Sequence, residues 1–117
     1  MFTQVIDRLA AEFGASVKAT KYVLGWEPRP DVGMAVERES RKARGYVCVW
    51  VPHPGPSEPL PANATVYGAT EGRHSNAYSL PGLRKGMPAL RIRVETLSQL
   101  EELVRFVRGL PPIRSHA

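Results

Sequence analysis

The fold of this chain is decided by residues 45–51, GYVCVWV, which lie near the middle of its 117 residues. The segment combines β-branched and aromatic residues and carries no charge, a composition typical of strands. Both of its faces are apolar, as expected for a strand that is covered on both sides. We predict that it forms a central strand, with Tyr46, Cys48 and Trp50 packed in the core.

A helix and two strands are predicted on the N-terminal side of this segment. Residues 2–13 place apolar side chains on one helical face, and Gly14 follows as a natural C-terminal stop. Residues 16–25 and 32–38 have the alternating pattern of strands. The two prolines in residues 26–31 predict a break between these strands, because proline stops both a helix and the hydrogen-bond ladder of a sheet.

The chain after the central strand is rich in proline and glycine. Residues 52–63 contain five prolines, which predicts an extended surface loop. Residues 64–69 predict a short strand. Residues 70–88 show no period and hold three glycines, so we predict a long irregular loop of the kind that is often functional. Its apolar anchors would be Tyr78, Leu80, Leu83 and Met87.

A strand and a helix are predicted at the C-terminal side. Residues 89–95 alternate cleanly, with Arg91 and Arg93 on the outer face of the strand. Residues 97–108 have a leucine and valine stripe at helical spacing, and Gly109 ends the pattern. The residues that fit a capping box at the start of this helix are Thr96 with Gln99, or Ser98 with Glu101.

This order of elements predicts the fold class. A helix, four to five strands and a second helix form an α+β domain with a small mixed or mostly antiparallel sheet and both helices packed on one face. The opposite face would then be exposed and would carry Arg91 and Arg93. The length suits a single domain over residues 1–110, followed by a frayed C-terminal tail over residues 111–117.

Several classes of protein are disfavoured by what the sequence lacks. Cys48 is the single cysteine, so neither an internal disulfide nor a cysteine-based zinc site is expected. The sequence has no glycine-rich phosphate loop of recognised spacing and no nucleophile elbow. We therefore expect no cofactor and no metal, and whether the chain is an enzyme stays open. The N-terminal residues do not resemble a signal peptide and no apolar run could span a bilayer, so we expect a cytoplasmic protein without a membrane partner.

The positive charge is unevenly distributed. The formal net charge is +5, from 16 basic and 11 acidic residues. Residues 38–44 hold four basic residues and one acid, and residues 70–95 hold five basic residues and two acids. Concentrated positive charge is typical of a surface that binds a polyanion, so nucleic acid, either DNA or RNA, is the expected partner. The alternative is a solvated surface that only keeps the protein in solution.

Residues 71–76, EGRHSN, hold the densest group of functional side chains in the sequence. Loops on rigid scaffolds are where binding groups concentrate. Arg73 is suited to clamping a phosphate, Asn76 to contacting a base edge, and His74 to phosphate binding or acid–base chemistry. The alternative is structural, because Ser, Asn and Gly form turns and the other side chains can close the loop on its own carbonyl groups.

These features define a candidate interface made of a basic hairpin tip and a polar loop. The residues expected to contact nucleic acid are Arg38, Arg41, Lys42, Arg44, Arg73, His74, Ser75, Asn76, Tyr78, Arg84, Lys85, Arg91 and Arg93. Bases would stack on aromatic residues that adjoin the predicted loops. The candidates for this role are Trp26, Tyr67 and Tyr78.

Two other functions remain open. The first is a small nuclease, whose acid–base and phosphate-binding groups would be Glu71, Arg73, His74 and His53. A metal-dependent version would use Asp31, Glu37, Glu39 and Lys42. The second is a protein-interaction or assembly module, which would use the proline-rich loop at residues 52–61 and any uncovered edge of the sheet.

Overall fold

A computed structural model describes residues 2–38, 45–55, 58–68, Leu80, Leu83 and residues 87–110. Within them the elements are α1 (Phe2–Phe13), β1 (Lys18–Ala19), β2 (Val23–Arg29), β3 (Val32–Glu37), β4 (Val47–Pro52), β5 (Ala64–Tyr67), β6 (Ala89–Val94) and α2 (Leu97–Arg108). These strands form one antiparallel sheet in the order β1-β2-β3-β4-β6-β5. The α+β class is confirmed, and the described sheet has six strands rather than four to five.

The extra strand arises because residues 16–25 contain a turn. The hydroxyl oxygen of Thr20 accepts hydrogen bonds from the backbone N–H groups of Tyr22, at 3.2 Å, and Val23, at 3.1 Å. A threonine hydroxyl that bonds to nearby backbone in this way competes with the ladder of a sheet. The chain therefore reverses after β1, and β1 pairs antiparallel with β2 instead of continuing into it.

The break predicted at residues 26–31 is wrong for residues 26–29, because β2 runs on to Arg29. Pro28 is tolerated there for a topological reason: β1 pairs with β2 only as far as Gly25, so among the described strands the outer edge beyond that point is open. The pairing of β2 with β3 is also irregular between Trp26 and Arg29. The chain then turns at Asp31, which has a left-handed φ of 63°.

Both helices pack on the same face of the sheet, as predicted. Each helix contributes a stripe of buried apolar side chains to one core cluster, and every second residue of β3, β4 and β6 contributes from the sheet. Burying a leucine or valine side chain contributes about 1.5–3 kcal/mol. The buried helical residues are Val5, Leu9, Leu100, Leu103, Val104 and Val107, and the strand residues include Met34, Val36, Val47, Val49, Leu90 and Ile92.

The opposite face is not exposed at its centre, which corrects the sequence prediction. Leu80 and Leu83, which lie in the predicted long loop, are buried against Ala35, Trp50 and Ala89. β3 and β4 are apolar on both faces and therefore need a cover on each side. The helices cover one face, and these two leucines cover the other. The prediction failed because the loop has no period that would indicate where its apolar residues pack.

A glycine makes room for this cover. A Cβ atom placed on Gly25 would lie 2.9 Å from Cδ1 and 3.1 Å from Cδ2 of Leu80. Such distances are shorter than ordinary van der Waals contact. The absence of a side chain at Gly25 therefore lets Leu80 rest directly on the backbone of β2.

The helix ends match the sequence signals. Gly14 ends α1 with a positive φ of 83°, and its N–H donates to the carbonyl of Ala10 at 2.9 Å. Of the two candidate capping pairs, Thr96 with Gln99 is used: the Thr96 hydroxyl accepts from the Gln99 N–H at 3.1 Å. The side-chain oxygen of Gln99 accepts in return from the N–H of Glu95 at 2.6 Å.

An ionic network joins the two helices at their surface. Arg8 of α1 donates to Glu101 of α2 at 2.7 Å and to Glu12 of its own helix at 2.9 Å. Glu12 also accepts from Arg108. The hydrogen bonds from Arg8 hold the pKa values of Glu12 and Glu101 below their ordinary value of 4.5.

Within the part of the chain that the structure describes, no helix is long and apolar enough to cross a membrane. The predicted tail at residues 111–117 lies outside the described residues.

Candidate nucleic-acid interface

The topology attaches the two predicted basic segments to opposite ends of the sheet. β3 ends at Glu37 and β4 begins at Val47; we name this the hairpin end, and the basic residues 38–44 join the sheet here. β4 ends at Pro52, which pairs with Ala89 at the start of β6; we name this the loop end, and residues 68–88 join the sheet here. Six residues of β4 separate the two ends, a distance of roughly 17 Å.

Much of the predicted interface lies outside the described residues. This applies to Arg41, Lys42, Arg44, Glu71, Arg73, His74, Ser75, Asn76, Tyr78, Arg84 and Lys85. Their part in a site stays a prediction from the sequence. The structure describes four of the predicted site residues, which are Arg38, Arg91, Arg93 and His53.

Arg91 is held by a carboxylate within the sheet. Its Nε donates to Glu37 Oε2 at 2.8 Å and its Nη2 donates to Glu37 Oε1 at 2.9 Å. The indole N–H of Trp50 donates to Glu37 Oε2 at 2.8 Å, and the Arg91 guanidinium lies 5.8 Å from the Trp50 ring centroid. The hydrogen bonds with Glu37 raise the pKa of Arg91. With two donors committed to this network, Arg91 contributes to the sheet itself.

Arg93 is more accessible. Its side chain is 52% exposed, and its Nε lies 3.1 Å from a carboxylate oxygen of Glu95, which is 50% exposed. Its guanidinium carbon lies 3.7 Å from the centroid of the Tyr46 ring, a cation–π contact. An exposed ion pair of this kind contributes little in water, so a phosphate could replace Glu95 at small cost. Tyr46, predicted to be in the core, is partly buried and has Arg93 over its ring.

Arg38 is fixed against the turn between β1 and β2. Its backbone N–H donates to the carbonyl of Tyr22 at 2.8 Å, and its Nη1 donates to the carbonyl of Thr20 at 2.8 Å. The turn also contains Lys21, which is exposed. The sequence prediction missed this neighbourhood because it treated residues 16–25 as one strand. Thr20, a residue that favours local side-chain to backbone bonds, was the available signal.

The predicted stacking aromatics are largely unsuitable. Trp26 is 1% exposed, and its indole N–H donates to the carbonyl of Gly14 at 2.8 Å, so it is a core residue that joins β2 to the end of α1. Tyr67 is partly buried and lies edge-on to Trp50, with ring centroids 4.7 Å apart. Burial therefore excludes Trp26 and restricts Tyr67. Trp50 is buried, as predicted.

His53 lies at the loop end of the sheet. Its backbone N–H donates to the carbonyl of Pro88 at 3.3 Å, and its Nδ1 accepts from the N–H of Gly55 at 3.0 Å. Since Nδ1 is an acceptor, the proton of the neutral ring is on Nε2. His53 thus lies beside the strand at which residues 68–88 rejoin the sheet.

The residues proposed for a metal-dependent nuclease include two that the structure describes, Asp31 and Glu37, and these two lie far apart. Glu37 ends β3 and is bound by Arg91 and Trp50, whereas Asp31 precedes the start of the same strand. The six residue steps from Asp31 to Glu37 span roughly 20 Å of extended chain. Among the described residues, no group of three His, Cys, Asp or Glu side chains could hold a metal ion.

β5 forms one of the two open edges of the sheet among the described strands. β5 pairs only with β6 there, and its Val66 is 46% exposed. Uncovered edges of this kind are places at which another strand can pair. The edge required by a protein-interaction module is therefore present, and its use stays a prediction.

Comparison with known proteins adds no assignment. No protein-family model matches the chain, and no curated protein and no solved structure matches it either. The candidate interface is therefore defined by the chemistry of its own side chains.

Proposed function

We propose that this domain binds nucleic acid, with the hairpin end of the sheet as its main contact and the polar loop at residues 71–76 as a second contact. The observation that carries the proposal is the placement of Arg38 and Arg93 beside the point where residues 39–44 join the sheet. Three further basic residues lie in that connection. Arginine and lysine are the side chains that neutralise phosphates and release their counterions.

The backbones of the two described arginines lie close enough for one sugar–phosphate chain to reach both side chains. Arg38 directly follows β3 and Arg93 lies on β6, with β4 between those strands. Neighbouring strands are about 4.8 Å apart, so the two backbones lie about 10 Å apart. The nearest described carboxylate on β3, that of Glu37, is neutralised by Arg91. A phosphate chain that crosses the hairpin end would therefore meet basic groups on both sides of β4.

The two segments have different roles in this proposal. Residues 38–44 and Arg93 supply contacts to phosphates, which position the ligand without reading its sequence. The second contact, to phosphates and base edges, comes from the segment that is attached to the loop end. Its residues are Arg73, His74, Ser75 and Asn76, with Arg84 and Lys85 in the same loop.

Fluorescence anisotropy of labelled DNA and RNA, each as single strand and duplex, tests the proposal. We expect binding that weakens as salt rises, with a linear dependence of the logarithm of the binding constant on the logarithm of the salt concentration. Absence of binding to all four probes at low salt would overturn the proposal and would leave the net charge of +5 as a solvated surface.

Two charge-matched double variants separate the contributions of the two segments. Arg41→Ala with Lys42→Ala removes two charges from the segment attached to the hairpin end, and Arg73→Ala with Arg84→Ala removes two charges from the segment attached to the loop end. For a duplex ligand, a double variant that removes two phosphate contacts should reduce the salt slope by about 1.8, at about 0.9 per contact.

The larger effect is expected at the hairpin end. Arg105→Ala on α2 is the control for a simple loss of charge, and its slope should match that of the wild type. Equal, small effects of both double variants would show that neither segment forms the interface.

A small nuclease is a second candidate, favoured by one observation. His53 lies at the end of the sheet to which the segment with Glu71, Arg73 and His74 is attached. A base, a phosphate clamp and an acid suffice for metal-independent cleavage of RNA. Labelled RNA and DNA, incubated with magnesium or with a chelator and separated on a denaturing gel, test this function. Intact substrate under every condition would contradict it, whereas cleavage lost in His74→Ala would support it.

A further inference from the structure

The turn between β1 and β2 presents an aromatic ring to solvent. The side chain of Tyr22 is 52% exposed. Every other aromatic side chain in the described part of the chain is partly or fully buried. The Nζ of Lys21 lies 5.7 Å from the centroid of the Tyr22 ring. An exposed ring beside a cation is the combination that single-stranded nucleic-acid sites use.

The turn is held in place by the first residue of the basic connection. Arg38 donates to the carbonyl groups of both Thr20 and Tyr22, and the Thr20 hydroxyl accepts from the N–H groups of Tyr22 and Val23. These bonds fix the backbone on both sides of the ring. A platform that is already ordered loses little conformational entropy when a ligand binds.

The charge around this ring favours a polyanion. Between Glu12 and Glu27 the chain has two lysines, Lys18 and Lys21, and no acidic residue. Arg38 adds a third positive charge through its contact with the turn. The neighbouring cations attract phosphates, and the half-exposed ring is of the type on which bases stack. The two components of a stacking site for nucleotides, a cation and an aromatic side chain, therefore lie side by side in this turn.

We infer that the turn at residues 20–22 is a stacking platform for single-stranded nucleic acid, in which a base stacks on Tyr22 while Lys21 and Arg38 contact the adjacent phosphates. The inference rests on the proposed function and adds to it the form of the ligand. Bases in a duplex are stacked on one another and do not offer a face to a protein ring, whereas bases in a single strand do. Phosphate contacts alone would not make that distinction.

The test compares a labelled oligothymidine with a duplex of the same length, using the full chain. Tyr22→Ala should weaken binding of the single strand about 5- to 150-fold, as for loss of one stacked base, and should change duplex binding less than about twofold. The salt slope should stay unchanged, since no charge is removed. Tyr22→Phe keeps the ring and should bind like the wild type.

Lys21→Ala provides an independent readout. It removes a charge but keeps the ring, so the salt slope for the single strand should fall by about 0.7. An unchanged slope would remove Lys21 from the platform and contradict the inference, even if Tyr22→Ala proved too unstable to measure. Thermal unfolding of each variant shows whether the fold is retained.

The outcomes distinguish the inference from the proposed function. A wild-type protein that binds neither probe overturns the proposed function. A wild type that binds single strands as tightly as its Tyr22→Ala variant overturns the inference alone. Equal weakening of single-strand and duplex binding in Tyr22→Ala would show that Tyr22 supports the interface without stacking, and would also overturn the inference.

Discussion

Glu37 joins three elements of the sheet through its carboxylate. It lies at the end of β3, accepts two hydrogen bonds from Arg91 of β6, and accepts one from Trp50 of β4. Its side chain is 18% exposed, and that of Arg91 is 33% exposed. A carboxylate in such a setting is costly to remove, because the donors that it satisfies are partly shielded from water.

We expect Glu37→Gln to destabilise the fold by about 1–2 kcal/mol, because a neutral amide oxygen cannot replace a charged acceptor for all three bonds. Urea unfolding followed by tryptophan fluorescence measures this. The control is Glu95→Gln, which breaks the exposed pair with Arg93 and should cost less than about 0.5 kcal/mol. Equal losses in the two variants would show that the network at Glu37 is no stronger than a surface pair.

Leu80 packs directly on the backbone of Gly25. A side chain at residue 25 meets the methyl groups of Leu80, so Gly25→Val should displace Leu80 and destabilise the fold by about 1–3 kcal/mol. Leu80→Ala should cost about 2–4 kcal/mol. In the double variant the added valine occupies the space that the leucine leaves, so the two losses should not add. Additive unfolding free energies would contradict the contact.

The helices are tied together by charges as well as by their apolar stripes. A continuous chain of ion pairs crosses the two helices and consists of Arg8, Glu12, Glu101 and Arg108. Because the pKa values of Glu12 and Glu101 are lowered in the folded state, folding favours their ionised forms. Their stabilisation is therefore fully present above the ordinary pKa of 4.5 and is lost as the pH falls below it.

We expect Glu101→Gln to lower the melting temperature slightly at neutral pH and to have no effect once both glutamates are protonated in the wild type. Melting temperatures measured from neutral to acidic pH test this, and added salt should reduce the difference at neutral pH. Glu102→Gln removes the same charge from the same turn of α2 and serves as the control. A difference between Glu101→Gln and wild type that persists at acidic pH would rule out the ionic explanation.

At the scale of the whole molecule, local patterns predicted the parts of the fold that depend on local physics. The two helices, β3 and β6 follow from periodicity, and β4 follows from its β-branched and aromatic composition. The cap at Thr96 follows from its spacing to Gln99. Trp26 was misplaced because the prolines that follow it predicted a break, whereas it packs in the core and its indole N–H donates to the carbonyl of Gly14. The Glu37–Arg91 pair depends on strand order, which no local pattern contains.

The candidate interface was predictable to a smaller extent. The sequence identifies the charge excess of residues 38–44, and the topology shows that Arg93 lies on the same end of the sheet. The turn with Lys21 and Tyr22 could not be assigned to this end without the bonds from Arg38. The charged residues can therefore be identified from the sequence, but the pairing of the strands is needed to show which of them are neighbours.

In the sheet, β6 lies between β4 and β5 although it follows β5 in the chain, and α2 follows β6. A ribosome makes the chain from its N-terminus, so β5 is synthesised before the strand that it pairs with. Until then the apolar face that carries Met34, Val36 and Val49 has no cover from α2. The sheet can close only after residues 89–110 have been synthesised, so a nascent chain that stalls earlier would expose a surface of the kind that chaperones bind.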